Sequence, residues 1–173
     1  MKNTLITLPA TTRDGEFLAH YSEKGLAGLN FPKGAQNSGP GANIIPIPRN
    51  VREWHRTTTQ ALKLVLAGGQ PKELPPFDWT DGTDFQQKVW KTMSKITSGK
   101  TLSYGEIASA IGKPKASRAV GGACGANPIP VLVPCHRVLA ANKKIGGFSG
   151  GLHWKRLLLE REGVKVAATK AGG

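Results

Sequence analysis

The spacing of apolar positions changes several times along the chain, and each change marks an element. Near the start, two short stretches alternate apolar and polar residues, GEFLAHY (15–21) and GLAGLNF (25–31). A period of two puts successive side chains on opposite faces of a strand. Ser22-Glu23-Lys24-Gly25 between them reads as a hairpin connection with glycine at a turn position. Residues 33–43, KGAQNSGPGAN, are glycine-rich and carry no period, which predicts a mobile loop. From Asn50, taken as N-cap, Val51, Trp54, Thr58, Ala61, Leu62, Val65 and Leu66 recur at helical spacing until Gly68-Gly69 ends the helix. Residues 1–70 thus predict a small α/β domain without a reactive constellation.

The segment 71–83, PKELPPFDWTDGT, holds three prolines and a glycine without a period and reads as a linker between domains. Beyond it the period becomes helical. In DFQQKVWKTMSKI, Phe85, Val89, Met93 and Ile96 share one face, with Thr83 or Asp84 as the cap. Ser103-Tyr104-Gly105-Glu106 has capping-box spacing, Ile107, Ala108 and Ile111 form the apolar edge of a short helix, and Gly112 stops it. KPKASRAVGGACGAN (113–127) then places Pro114 where a helix can start. It is crowded with small residues: Ala116, Ser117, Ala119, Gly121, Gly122, Ala123, Gly125 and Ala126. Each helical glycine costs about 1 kcal/mol relative to alanine, so something else has to justify them. Two readings stand: tight packing against a neighbouring helix, or a helix-turn-helix whose second helix meets nucleic acid. In the second reading, the small face with its basic flanks Lys113, Lys115 and Arg118 suits a wide, shallow minor-groove contact. The tail VKVAATKAGG has no core period; 84–165 is the expected second domain and 166–173 a flexible end.

Composition narrows the partners. At 173 residues the chain can form one or two domains, since these commonly run to roughly 100–150 residues. Lys and Arg number 24 against 11 Asp and Glu, a balance of +13, which makes a polyanion the natural partner without choosing among DNA, RNA and a membrane surface. No stretch approaches the about 18 apolar residues of a membrane span, and MKNTLITLPATTRDGEF lacks a long apolar signal core with a cleavage site, so a cytoplasmic protein is expected. In that reducing compartment Cys124 and Cys135 are expected as thiols. With four scattered histidines they show no zinc spacing, and neither metal nor cofactor is expected.

One run carries candidate chemistry. VLVPCHR (131–137) sets a thiol beside an imidazole at the end of what looks like a buried strand. A thiol titrates near 8.5, so only a few per cent is thiolate at neutral pH unless a base takes its proton. Cys135 and His136 are therefore a candidate nucleophile pair. Neighbours on a regular strand point to opposite faces, so the two can meet only across a turn or through a water, and Pro134 supplies a possible break. The competing reading is a buried small hydrophobe next to a packed histidine.

Context decides between them. The run RAVGGACGANPIPVLVPCHRVLAANKKIGGFSGGLHWKRLLLEREG (118–163) resembles the O6-alkylguanine-DNA alkyltransferases, the methylated-DNA–protein-cysteine methyltransferases. The similarity runs from about Phe85 to Gly163, with more in FLAHYSEKGLAGLNFP near the start. PCHRV, with RAVG and an Asn-Pro step upstream and GGL with a leucine-rich helix downstream, carries the resemblance. It implies an α+β, two-domain fold: a ribonuclease H-like N-terminal α/β domain and a mostly helical C-terminal domain with a winged helix-turn-helix. It implies irreversible, stoichiometric transfer of an alkyl group from O6-alkylguanine, and also O4-alkylthymine, to Cys135. His136 would take the thiol proton through a bridging water, Glu162 would orient the histidine, and Asn127 would brace the turn that presents the thiol. Tyr104 would donate to the leaving guanine, Ser149 would bond near O6, and the carbonyls of Cys135 and Val138 would accept from the exocyclic amine.

The target atom lies inside the base stack, so the nucleotide must be rotated out. By the resemblance, Arg118 fills the vacated space, Ala119, Gly121, Gly122 and Ala123 let the helix lie in the minor groove, and Lys113 and Lys115 hold phosphates. The partner implied is double-stranded DNA carrying the lesion, bound by a monomer able to assemble cooperatively. Phe148 stands where the family often has tyrosine in the pocket loop; the aromatic wall survives and the hydroxyl does not. Cysteines that would bind zinc in the N-terminal domain of some relatives are absent, and Cys124 reads as a packing residue. Two alternatives are a lesion binder without transfer, which Cys135 argues against, and a Cys-His hydrolase of another class, which the basic helix-turn-helix disfavours.

Overall fold

The computed structural model describes residues 4–33 and 46–167. The expected hairpin is present as β2 (Gly15–Tyr21) and β3 (Leu26–Asn30), and it is joined by a strand the pattern did not predict, β1 (Ile6–Thr12). The three form an antiparallel sheet in the order β1-β2-β3. Pro9 obscured β1 because proline cannot donate to a ladder, yet it is tolerated on an edge strand. Phe17, Ala19 and Tyr21 alternate into the core from β2. The hydroxyl of Tyr21 donates to Nδ1 of His55 at 2.8 Å, and Nε2 of His55 donates to the Pro9 carbonyl at 2.9 Å, which pins helix α1 (Arg49–Leu66) to both strands.

Helix α1 begins one residue before the expected Asn50 cap: Pro48 occupies the cap position with φ −56 and no side-chain bond. A proline's fixed φ already suits helix entry. From residue 34, the loop expected to be mobile lies outside the described residues. The segment 71–83 is tied down along its length. Leu26 N–H donates to Pro76 and Asp78 N–H to Leu26, both at 2.8 Å, so the segment runs beside β3 at that point. The Trp79 and Gly82 carbonyls accept from Gln87.

Of the two candidate caps, Thr83 is the one used by α2 (Asp84–Met93), in a capping box with Gln86. The helix stops at Met93, short of Ile96, which is nonetheless buried in the following turn. The second capping box is also formed: Glu106 N–H donates to Ser103 Oγ at 3.0 Å and Ser103 N–H to Glu106 Oε2 at 2.6 Å. It opens α3 (Tyr104–Ala110), preceded by the two-residue β4 (Leu102–Ser103). Gly112, at φ +76, ends the turn after it. Pro114 lies in the connecting turn, and α4 (Ser117–Gly125) starts three residues later.

Residues 129–134 are not a strand. Pro128, Pro130 and Pro134 remove the donors a ladder needs, and the chain folds back through Val131 at φ +73, with Val133 N–H on Ile129 O at 3.0 Å. A 3-10 turn, Cys135–Arg137, follows, then β5 (Val138–Leu139), parallel to β4, and α5 (Leu152–Arg161). Ala167, inside the expected flexible end, donates to the Lys143 carbonyl at 3.0 Å; 168–173 lie outside the described residues. Phe17, Leu62, Met93, Ile107, Val133 and Leu158 belong to one apolar core drawn from both halves of the chain. The fold is α+β, with a small antiparallel sheet and α1 followed by a helical region.

Candidate active site and nucleic-acid interface

The turn before Cys135 is braced by Asn127, whose buried amide donates to Val133 O at 2.9 Å and accepts from Ile129 N–H at 3.0 Å. A 3-10 turn rotates about 120° per residue, so Cys135, His136 and Arg137 leave the backbone in three directions. His136 enters the interior completely, and its Nε2 lies 2.8 Å from Glu162 Oε1. A carboxylate only accepts, so Nε2 carries the hydrogen and Nδ1 is the bare, basic nitrogen. That Nδ1 is buried and has no partner among the described residues.

Glu162 is shared with Arg137, which the sequence analysis did not single out. Arg137 Nε lies 3.1 and 3.0 Å from the two carboxylate oxygens and Nη2 lies 2.8 Å from Oε1, while Nη1 donates to Ile96 O at 2.6 Å. Burial pushes the Glu162 carboxyl up, but the bonds and charges of His136 and Arg137 outweigh it and hold the group below the ordinary range. Burial pushes the His136 imidazole down despite Glu162, and the Arg137 charge adds to this. Burial also raises the Cys135 thiol, opposed by Asn127 and by the Lys155 charge. At rest the corner therefore holds a thiol, a neutral imidazole and a carboxylate.

Cys135 opens on a cavity of about 120 Å³ lined by Tyr104, Gly121, Cys124, Gly125, Gly147, Phe148 and Ser149. A cavity of about 150 Å³ accepts benzene, so this one has the scale of a single small ring or alkyl group. The Tyr104 hydroxyl is bonded to the backbone of Gly147, and burial raises its pKa, which keeps it protonated. Gly146 has φ +68, and a Cβ there would stand 2.7 Å from the Tyr104 oxygen, so glycine is required on both counts. The pocket loop is propped by the N-terminal sheet. Phe31 meets Phe148 at 5.7 Å and Trp154 at 5.0 Å between ring centroids, and a Cβ at Gly150 would fall 2.4 Å from the Phe31 ring. Cys124 packs its sulfur 3.5 Å from that of Met93, and burial pushes its thiol up to about 12.

Lys155 was also missed. It is fully buried, and its Nζ donates to Val138 O at 2.7 Å and Gly147 O at 3.1 Å. Burial pushes its ammonium down to about 8. Helical spacing could have found it, since Lys155, Leu158, Leu159 and Glu162 share one face of α5 and its cap.

The DNA-contact residues expected from sequence lie elsewhere, on the outer side of α4 and the turn before it. Lys113, Lys115, Arg118, Ala119 and Gly122 are exposed, with Lys113 Nζ 5.5 Å over the Phe85 ring. Opposite them Val120, Ala123 and Cys124 face the core, and Trp90 Nε1 anchors the helix through Ala123 O at 2.8 Å. A Cβ at Gly121, Gly122 or Gly125 would meet nothing within 4 Å. Tight packing within the protein therefore does not account for these glycines. Two of them, Gly121 and Gly125, also line the Cys135 cavity. Among the described residues no helix is long and apolar enough to cross a membrane, and no three His, Cys, Asp or Glu side chains are grouped to hold a metal.

Comparison with known proteins places this geometry. Residues 84–164 match the model of the 6-O-methylguanine DNA methyltransferase, DNA binding domain. The chain is 42% identical over 155 residues to a methylated-DNA–protein-cysteine methyltransferase of Methanosarcina acetivorans, covering 86% of this chain and 92% of that protein. It is 56% identical over 87 residues to the Mycobacterium bovis protein of the same name, covering 50% and 53% of the two. Among solved structures, Mycobacterium tuberculosis OGT in complex with DNA superposes with a TM-score of 0.70 at 37% identity, covering 90% of each chain. The O6-methylguanine-DNA methyltransferase of Pyrococcus kodakaraensis gives 0.64 at 25% identity, covering 93% of this chain and 100% of that one.

Proposed function

The chain belongs to the 6-O-methylguanine DNA methyltransferase family, and on that premise we propose that it transfers the alkyl group of O6-alkylguanine in duplex DNA to Cys135, once per molecule. The observation that carries the reading is one of adjacency: among the described residues nothing stands within 4 Å of where a Cβ on Gly121, Gly122 or Gly125 of α4 would lie, and two of these glycines border the cavity onto which the Cys135 thiol opens, beside the buried base His136.

As the carbon–O6 bond breaks, the sulfur–carbon bond forms. The thiol proton passes through a bridging water to Nδ1 of His136, and Glu162, already a carboxylate, stabilises the imidazolium. Tyr104, protonated at rest, gives its proton to the departing guanine and regains one as the His136 imidazolium releases the thiol's proton through water, so the net transfer is of one proton from the thiol to the guanine. Ser149 bonds near O6, and the carbonyls of Cys135 and Val138 accept from the exocyclic amine; each oxygen has a second lone pair for this. Asn127 holds the turn that aims the sulfur, and Phe148 walls the ring. A thioether has no leaving path back, so the protein is consumed.

Reaching O6 requires extruding the nucleotide, at a cost of a few kcal/mol. Arg118 occupies the gap, and Ala119, Gly121 and Gly122 lie against the minor groove while Lys113 and Lys115 hold phosphates; Ala123, buried against the core, is not part of that face. Residues 84–165 carry both binding and chemistry, 1–70 support the pocket loop through Phe31, and 71–83 connect them. Two buried free thiols suit a reducing cytoplasm, and the protein works as a monomer without metal or cofactor. The test is the intact mass after mixing with a duplex containing one O6-methylguanine. A gain of about 14 Da on the Cys135 peptide is expected for thiol to methyl thioether. Folded protein of unchanged mass with the lesion intact overturns the reading.

A further inference from the structure

Lys155 is buried behind the pocket, bonded to Gly147 of its lining, with no acid beside it. It has no exposed surface and makes no ion pair among the described residues; its two bonds, 2.7 Å to Val138 O and 3.1 Å to Gly147 O, both end on carbonyls. Removing an ammonium from water costs several kcal/mol, and carbonyl dipoles return only part of it. An apolar side chain of similar length would pack α5 against the core without that cost, so fold stability does not explain the charge. Lys155 is bonded to the Val138 carbonyl from β5 and the Gly147 carbonyl from the pocket loop, and its charge reaches the Cys135 thiol and the His136 imidazole of the 3-10 turn and the Cys124 thiol of α4. Of these only the two thiols can become anions, and Cys124, packed on Met93, is held protonated.

We propose that Lys155 is the built-in counter-ion of the Cys135 thiolate, and that its two carbonyl bonds fix the pocket loop to β5 around that sulfur. This deepens the alkyl-transfer reading and rests on it for its purpose. The proton route alone leaves a gap that Lys155 fills. Burial makes the thiol a weaker acid and His136 a weaker base, so moving the proton between them is unfavourable in an empty dielectric pocket. A cation fixed within electrostatic reach of the sulfur lowers the energy of the anion, while the same charge opposes an imidazolium at His136, so the thiolate and not the protonated histidine is the state it favours. Its role is one of positioning and charge, and His136 remains the base.

The reaction of Cys135 with iodoacetamide across pH tests this without DNA, with peptide mapping to separate Cys135 from Cys124. In Lys155→Met the midpoint of the rate profile should move up by at least about one pH unit, so that the rate near pH 7 falls about tenfold. Lys155→Arg should recover much of the shift. If Lys155 only tethers the loop, Lys155→Met keeps the wild-type midpoint, and that result overturns the proposal. Should the wild type fail to take a methyl group from lesion DNA while the Lys155→Met profile still shifts, the function falls and the counter-ion stands.

Discussion

Behind Cys135 the groups that are expensive to fold face inward: a carboxylate, a guanidinium, an imidazole and an ammonium, all without exposed surface or nearly so. On α4 the expensive residues face outward: three glycines in a nine-residue helix, each with open space where a Cβ would stand. The inward set is compensated within the chain, Glu162 by His136 and Arg137 and Lys155 by two carbonyls. The outward set is not compensated by anything among the described residues. A cost met internally describes the chemistry of a site, whereas a cost left open describes the shape of a partner. Here the two meet at one cavity, where Gly121 and Gly125 stand across from the thiol.

The largest effect that can separate the two regions comes from the sulfur. Cys135→Ser should abolish all mass gain while lesion binding through α4 persists, measured by gel shift; loss of both would mean that the regions are not separable. Next is Glu162→Gln, which leaves the Arg137 charge buried and half-paired. Breaking a buried pair costs about 3–5 kcal/mol, so the unfolding free energy should fall by that amount, seen as a lower denaturant midpoint with little change in slope, and transfer should slow. Unchanged stability would show that the network does not hold the corner together.

The inward set should also respond to acid while the outward set stays silent. Glu162 titrates below its ordinary value when folded, so its stabilisation is complete above about pH 4.5 and is lost as pH falls through the lowered value. His136 is held below 6.5, so the unfolded chain takes up a proton first and stability already declines as pH drops below about 6.5; His20 and His55, lowered by burial, add to this. Thermal melts should therefore fall in two stages toward acid, and Glu162→Gln should shrink the lower one. A flat profile from pH 7 to 4 would contradict these assignments.

The smallest effect has opposite signs in two assays. Gly122→Ala should stabilise the free protein by about 0.5–1 kcal/mol, because nothing meets the new methyl and the helix gains propensity. It should at the same time weaken duplex binding. A gain in both would remove the partner reading of the glycine face.

What sequence could reveal divides along the same line. The hairpin, the span of α1 and the Ser103–Glu106 capping box follow rules that operate within a few residues, and they appear as expected; between Thr83 and Asp84 as cap the pattern could not choose. The strand containing Pro9 and the proline-broken run 129–134 were misread because a single residue type cancels the local pattern. The glycines of α4 posed their question openly, but the answer needed the empty space around each one. Arg137 escaped because Glu162 lies 25 residues away and no spacing rule links such positions, whereas Lys155 stands on the buried face of α5, where helical spacing marks it as interior although its Val138 partner lies 17 residues away. Glu162 was reached only through family resemblance; alone, a glutamate near the end of a charged helix looks like a solvated group. The contribution of the N-terminal half was equally hidden, since Phe31 reaches Phe148 across the fold.

The most direct test of the central claim counts lesions against protein. Duplex bearing O6-methylguanine is titrated into a fixed amount of protein and the remaining lesion is measured at completion. Acceptance by Cys135 predicts that repair stops at one lesion per molecule, and that protein already alkylated at that cysteine repairs none. Repair that continues past one equivalent, or that proceeds with Cys135 unmodified, would contradict the account.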